Sequence, residues 1–432
     1  MLQLQPQLRP TAEVALEMLE GIRGGSSTRR RHLTVATTLP STTHIRSALY
    51  TLDTATTTLT PVEGVPAKIR IAQVVVGPSH CVLLVSTERS VYGWGSNRYG
   101  QLGIGDRIDR DQPTRIRALD DKSVKKASLG STFSVFLADR GTLLVAGDRK
   151  MSGNGKEADD QLEPQLITSV LRENIVDVSC GDEHVVAITN EGKVYVWGSG
   201  ANGRLGTGKL DNLYVATQLH MPPKPQVIGV RCGPDASALI TDDGCLMAMG
   251  SNRHNKLNLS SRQGFFTKER AGNHEDVLAP RPLKQFPARI VDVALGRGHS
   301  GVVLESGLVY LFGLNSHGEL GVGTFQPIPF GWHIPVKSLM NKACVMIACG
   351  AGFTIAGTAD NELFFWGSKG VMVSQQPLTV EEIDLSTSQD LRAATTVQRI
   401  GFNRSHALGR SSLWGHKKRT GSDGQEKLEQ IV

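Results

Sequence analysis

The sequence predicts an all-β chain folded as a seven-bladed β-propeller, and three observations carry that prediction. First, a unit of about fifty residues recurs seven times. Each unit opens with a glycine three positions before a histidine or aromatic: Gly77/His80, Gly130/Phe133, Gly181/His184, Gly296/His299 and Gly350/Phe353. Gly233/Ala236 is a weaker copy, and Asn403/His406 substitutes asparagine. The steps between openings are 53, 51, 52, 63, 54 and 53 residues, a period that belongs to arrays whose small units bury their apolar faces on one another. Second, an apolar run ends in another glycine some way into each unit, as at Gly95, Gly198, Gly313 and Gly367. Third, helical periodicity is absent. Asn190-Glu191-Gly192, Thr241-Asp242-Asp243-Gly244 and Asp139-Arg140-Gly141 each separate two runs of β-formers, which is a hairpin signal.

Each hairpin with the less regular strands after it makes a four-stranded sheet too small to bury itself. Seven such sheets around an axis have protected edges. The repeated glycines then stand at a crowded inner rim, where backbones approach closely or need positive φ, and Asn403 suits the same conformation. His80, His184, His299 and His406 read as structural, each ring hydrogen-bonded to the backbone of an adjacent blade. They lie on different blades, without acids or cysteines at metal-ligand spacing. The seventh unit is short of strands after His406, so Arg46 to Leu52, an orphan strand before the first unit, is expected to complete the last blade. Leu413-Trp414-Gly415 is the rival for that place.

Length and composition agree. A chain of 432 residues with 47 glycines at fixed phase suits many short strands. Six cysteines include no CxxC pair, and four sit in apolar runs, which points to buried thiols in a reducing compartment and so to the cytoplasm. The net charge of +6 is spread over mixed-sign loops, with short clusters at Arg29-Arg30-Arg31 and Lys417-Lys418-Arg419, and reads as solvated surface. No apolar stretch has the length of a membrane span, and the first thirty residues lack the apolar core of a secretory signal.

The series Gly93-Trp94-Gly95-Ser96-Asn97-Arg98-Tyr99-Gly100-Gln101-Leu102-Gly103 and Val194-Tyr195-Val196-Trp197-Gly198-Ser199-Gly200-Ala201-Asn202-Gly203-Arg204-Leu205-Gly206 resembles the regulator-of-chromosome-condensation repeat. The resemblance covers about four fifths of the chain. Within that family the chain looks like the propeller of the long NIMA-related (Nercc-type) serine/threonine kinases, on Cys180-Gly181-Asp182-Glu183-His184-Val185-Val186, on the degenerate second unit and on the eroded fourth, with Asn255-Lys256-Leu257-Asn258-Leu259 in place of a GQLG-like turn. Pro6 to Leu19, with Arg9-Pro10-Thr11-Ala12, is similar to the last helix of a kinase domain, in which Arg9 would pair with the APE glutamate. Pro10 suits a first helical turn, and Val14, Met18 and Leu19 make a partial apolar stripe. The resemblance therefore implies four segments: a kinase-helix remnant over 1–24, a linker over 25–45, the propeller over 46–410 and a polar basic tail over 411–432. It also implies protein partners, among them its own kinase domain or related kinases, and a place at centrosome, cilium or other microtubule structures.

Glycine-rich loop, HRD and DFG motifs are absent, so no catalytic residue, cofactor or metal site is assigned. ATP and magnesium would enter only with a kinase domain encoded upstream, in frame with Arg9-Pro10-Thr11. Two motifs are decoys: Gly198 to Gly203 spells GxGxxG and Gly203 to Lys209 begins a P-loop, yet Leu210 replaces the required Ser/Thr and no helix follows. Two departures from the repeat are better candidates for partner binding. The 63-residue step implies an insertion around Gln263 to Pro282 that contains His274. The fifth unit carries Phe325-Gln326-Pro327-Ile328-Pro329-Phe330-Gly331-Trp332-His333-Ile334-Pro335, with Phe325, Ile328, Phe330 and Trp332 as anchors; these aromatics either meet a partner or cover the blade's outer strand. The functional expectation is a regulatory protein-interaction propeller of a NIMA-related kinase. One alternative is an exchange factor for, or binder of, a Ran-like GTPase, which fold does not by itself imply. Another is a binder of chromatin or anionic surfaces through the basic clusters.

Overall fold

The structure, a computed structural model, describes residues 49–53, 58–65, 69–86, 88–155, 159–259, 276–283, 286–326, 328, 334–360, 362–368 and 381–382. All of them belong to one compact unit that begins at residue 46. A two-stranded hairpin, Tyr50–Asp53 with Thr58–Pro61, comes first. Six antiparallel meanders follow. The first blade runs Ile71–Val76, His80–Val85, Ser90–Gly95 and Arg110–Arg115; the second Lys126–Leu129, Phe133–Leu137, Leu143–Gly147 and Gln161–Leu166. The third comprises Ile175–Cys180, His184–Thr189, Val194–Gly198 and Leu213–Leu219; the fourth Val227–Cys232, Ala236–Thr241, Leu246–Gly250 and Val277–Pro282. The fifth has three strands, Ile290–Leu295, His299–Leu304 and Val309–Gly313, with a single bridge from Tyr310 to Pro335 beyond them. The sixth has Cys344–Cys349, Phe353–Thr358, Leu363–Gly367 and the short Glu381–Glu382.

The chain is thus an all-β propeller, but the described residues form six blades, not seven. The seventh opening at Asn403/His406, the N-terminal helix, the linker over 25–45, the tail over 411–432 and Leu413-Trp414-Gly415 lie outside the described residues. The strand expected over Arg46 to Leu52 is present as Tyr50–Asp53, and the seventh unit, its expected partner, lies outside the described residues. Tyr50–Asp53 pairs with the Thr-rich segment that follows it, in the register Tyr50 to Pro61, and no seventh-blade strand is its partner among the described residues. Leu49, Val62 and Val65 join an apolar cluster with Val76, Cys81, Leu83, Val85, Tyr92 and Trp94 of the first blade.

The core lies between blades, because a strand's side chains alternate. On the third blade's second strand, Val185 and Ala187 pack toward Phe133, Val135 and Val145 of the second blade. Val186 and Ile188, one residue out of phase, pack toward Val230, Leu239 and Met249 of the fourth. Every blade is apolar on both faces, which is why these strands read as continuous Val/Ile/Leu runs.

Two glycine positions follow from register. The residue opening each second strand pairs with the glycine closing the third: His80 with Gly95, Phe133 with Gly147, His184 with Gly198, Ala236 with Gly250, His299 with Gly313 and Phe353 with Gly367. All six glycines have φ between +103° and +110°, and a Cβ on Gly198 would meet the Glu183 carbonyl oxygen at 2.5 Å. The opening glycines need space instead. Each donates its N–H to the carbonyl three residues on, as Gly181 does to His184 at 2.8 Å, and this turn sets the three-residue spacing. A Cβ there would lie 2.1 Å from His184 Cε1 and 2.4 Å from the Gly233 carbonyl oxygen.

Candidate functional site

In an up-and-down blade the first-to-second and third-to-fourth connections emerge on one face. Here that face gathers the Gly-x-x-His turns and the GQLG-like turns, and the two are stitched together between blades. His80 Nε2 lies 2.7 Å from Ser134 Oγ, and that hydroxyl donates to the Gln101 carbonyl at 2.6 Å. His184 Nε2 lies 2.8 Å from Ser237 Oγ, which donates to the Arg204 carbonyl at 2.9 Å. His299 Nε2 lies 2.9 Å from Thr354 Oγ1, which donates to the Glu319 carbonyl at 2.8 Å. A hydroxyl has one proton and gives it to the carbonyl, so the imidazole Nε2 must carry the other. Each of the three Nε2 atoms therefore carries a proton, and burial, which pushes the pKa of His184 down to about 3 and of His299 to about 4, keeps those two rings neutral. The expected ring partner was backbone; the structure interposes a side-chain hydroxyl. The hydroxyl was legible in the sequence, because Ser134, Ser237 and Thr354 each stand one residue after the histidine position of the next unit, at Phe133, Ala236 and Phe353.

The innermost strands carry a second set of ties. Side chains of Gln73, Asp177 and Asp292, at one repeat position of the first, third and fifth blades, accept the N–H of Ala127, Val230 and Ile347 on the next blade at 3.1, 3.3 and 3.1 Å. Ser128 and Ser179 accept from Cys180 and Cys232 at 2.8 and 2.9 Å. The same strands hold a buried run of alternating charge. Lys126 Nζ donates to Asp177 Oδ1, Arg231 Nη1 lies 3.4 Å from Asp177 Oδ2, and Arg231 Nε lies 3.6 Å from Asp292 Oδ1. Burial pushes Asp292 up to about 6 against the pull of Arg231, and burial also lowers Lys126. Sequence reasoning missed this ladder, since its members read as mixed-sign surface charge.

None of these groups is arranged for bond-making chemistry. The buried thiols of Cys81 and Cys232 are pushed up to about 12 by desolvation, so they stay protonated. Among the described residues no cluster of three or more His, Cys, Asp and Glu could hold a metal ion. The GxGxxG decoy runs from a strand into a three-residue 3-10 turn, Ala201–Gly203, and Gly200 is pressed on the Asp211 carbonyl of its own loop. No helix N-terminus stands there to receive a phosphate. The eroded fourth-unit turn keeps its shape because Asn255 and Asn258, with φ of 57° and 52°, stand where sister turns have glycine.

The partner candidates divide. Phe325 is half-buried, and Ile328, also half-buried, packs on the cluster between the fifth and sixth blades with Leu311, Leu320 and Trp366. Phe330, Trp332 and His274 lie outside the described residues. Among the described residues, the single Tyr310–Pro335 bridge stands where sister blades have a fourth strand.

The regulator of chromosome condensation (RCC1) repeat matches residues 90–137, 153–188, 191–240 and 306–356, and a second form of it matches 71–101 and 175–204. The chain is 33% identical over 392 residues to the serine/threonine-protein kinase Nek9 of Xenopus laevis, a match over 85% of this chain and 41% of that protein. It is 31% identical to Nek9 of Mus musculus, over 84% and 39%, so the chain spans about two fifths of these relatives. Ultraviolet-B receptor UVR8 of Arabidopsis thaliana is 31% identical over 70% of this chain and 66% of its own length. Among solved structures, Prp20p of Saccharomyces cerevisiae, described with its binding to Gsp1p and histones, superposes with a TM-score of 0.65 at 17% identity over 81% of this chain and 88% of that one; this likeness concerns the fold. Repeat matches, blade register and relatives agree: the chain belongs to the regulator of chromosome condensation repeat propellers and is related to the Nek9 and Nek8 kinases.

Proposed function

We propose that the chain is a non-catalytic regulatory propeller of the NIMA-related kinase type, which binds proteins through the loops of one face. The observation that supports this most is the 33% identity to Nek9, sustained over 392 residues of propeller-bearing chain. A rigid array of blades with its side chains committed to inter-blade ties leaves recognition to loops. Phe330 and Trp332, flanked by Phe325 and Ile328, are the anchors we assign first, and the insertion around His274 second. The partner we assign is a kinase domain of the NIMA-related type, its own or a related one, in the cytoplasm at centrosome, cilium or other microtubule structures. ATP and magnesium would belong to that kinase domain and not to the propeller.

The test mixes the purified chain with a purified NIMA-related kinase domain and measures binding and phosphorylation of a generic protein. Binding with an altered rate is expected, and F330S/W332S should lose it while melting within a few degrees of the parent. No binding, or a rate the propeller leaves unchanged, would reject the reading. A parallel measurement of nucleotide release from a Ran-type GTPase decides the exchange alternative; acceleration there, without kinase binding, would replace our reading with it.

A further inference from the structure

The seams between blades are not equivalent. The seam between blades one and two has the His80–Ser134 relay and the Gln73–Ala127 tie. Between three and four stand His184–Ser237, Asp177–Val230 and Ser179–Cys232, and between five and six stand His299–Thr354 and Asp292–Ile347. Between two and three, Phe133 takes the histidine's place and Val185 the hydroxyl's, a matched apolar pair, and Trp197 Nε1 donates to the Met151 carbonyl at 3.0 Å.

Between blades four and five, both ties are missing on one side only. Ala236 stands where the histidine belongs, yet Ser300, the hydroxyl that would receive it, is retained. Ser300 is 2% exposed, and its Oγ has no hydrogen-bond partner among the described residues. Beside it is a small cavity lined by Ser300, Lys256, Leu246, Ala248, Leu295 and Phe312. On the inner strand, Gly229 occupies the position at which Gln73, Asp177 and Asp292 hold the neighbouring blade. A buried hydroxyl without a partner costs about 1–3 kcal/mol, and a cavity forfeits the contacts of its lining.

On the face of the relays Lys256 spans the gap, while Arg231 reaches Asp292 across the same seam on the inner strands. Lys256 occupies the turn position of Gln101, Arg204 and Glu319 in the sister blades and is 0% exposed. Its ammonium donates to Asp235 on its own blade, and to the Gly296 carbonyl at 3.0 Å and the Arg297 carbonyl at 3.3 Å on the next. All three of its protons are engaged. We propose that the seam between the fourth and fifth blades is the propeller's built-in opening point, latched by Lys256 in place of the histidine–hydroxyl relay. On this face the latch is one long side chain beside a cavity, backed on the inner strands by the Arg231–Asp292 contact, whereas the seams between blades one and two, three and four, and five and six carry an imidazole–hydroxyl relay and an inner-strand hydrogen bond. The unpaired hydroxyl and the unfilled cavity both lower the cost of parting this seam, and sub-global opening starts where that cost is least. Desolvation also lowers the Lys256 pKa, so the ammonium is held at a cost the neutral relays do not carry.

Native-state amide exchange of the full chain tests this, read strand by strand. In the parent, the second strands of the fourth and fifth blades, Ala236–Thr241 and His299–Leu304, should exchange at least tenfold faster than His184–Thr189. K256M should speed exchange a further tenfold or more in those two blades and leave the third blade unchanged. A236H, which returns an imidazole to the void beside Ser300, should slow exchange in the same two blades, in the parent and in K256M alike, and adding S300A should abolish the gain. Uniform exchange across blades in the parent would overturn the proposal. So would a K256M effect shared by all blades, or an A236H variant that slows nothing. If K256M does not fold, A236H and A236H/S300A in the parent background still decide.

Discussion

His184 Nε2 and Ser237 Oγ lie 2.8 Å apart across the seam between the third and fourth blades, and the same hydroxyl donates to the Arg204 carbonyl at 2.9 Å. Three residues thus tie the opening of one strand, the start of the next blade's second strand and the turn that follows the third strand. Removing either partner strands a buried polar group, so H184F and S237V alone should each lower stability by about 1–3 kcal/mol. Together they recreate the Phe133–Val185 pairing that the second seam uses natively. The double variant should therefore cost less than the two single losses added, and a denaturant-derived cycle showing plain additivity would count against the relay.

Gly181 and Gly208 separate crowding from backbone conformation. A Cβ on Gly181 would meet His184 Cε1 at 2.1 Å and the Gly233 carbonyl at 2.4 Å. Gly208 has φ of +79° with nothing within 4 Å, so alanine there pays only the left-handed conformation, about 1–2 kcal/mol. G181A should lower the melting temperature several times more than G208A. Equal shifts would place the opening glycines outside the crowded rim.

Acid should weaken the propeller through its relay histidines. His184 and His299 titrate at about 3 and about 4 when folded, against about 6.5 unfolded. Between pH 6.5 and 4 the unfolded chain binds protons that the folded chain refuses, so each histidine removes about 1.4 kcal/mol of stability per pH unit on the way down. Asp292 works in the opposite sense. Its folded pKa of about 6 lies above the ordinary carboxylate value, so its contribution is full below that value and is lost as pH rises through 6. Melting temperatures at pH 7 and pH 5 check both signs. The drop should shrink in H184F/S237V and grow in D292N, and unchanged drops in both would refute the assignment.

The blades were legible because the constraints behind them are local. The Gly181 N–H to His184 carbonyl turn demands three-residue spacing, and the Gly198–His184 pair demands positive φ at a fixed later position. Ser237 was legible too, one residue past Ala236, but only to a comparison of neighbouring units. Asp177, Arg231 and Asp292 were not. Asp177 and Asp292 share a repeat position at which sister units carry Gln73, Lys126, Gly229 and Met346, and Arg231 stands where they carry Val75, Ser128, Ser179, Ala294 and Ala348, so no recurring residue type marks them, and only the convergence of inner strands brings opposite charges together. The turn at Asn255 and Asn258 looked eroded because glycine was the expected residue, whereas the backbone needs only left-handed φ.

The charge ladder makes a last prediction. Asp177 is the acceptor for Lys126 Nζ and for Arg231 Nη1, and it also takes the N–H groups of Val178 and Val230. Asparagine in its place keeps one acceptor oxygen and nearly the same volume but carries no charge. Lys126, whose side chain is 8% exposed, would then be a buried ammonium without its anion, while Arg231 retains Asp292 at 3.6 Å. Breaking a buried pair from one side costs about 3–5 kcal/mol, whereas replacing both partners by apolar or neutral groups is often far milder. D177N should therefore lose more stability than D177N/K126M, with the single variant lower in urea midpoint and the double variant recovering much of the difference. If the double variant is no more stable than D177N, the loss comes from the hydrogen bonds to Val178 and Val230 and not from a stranded charge.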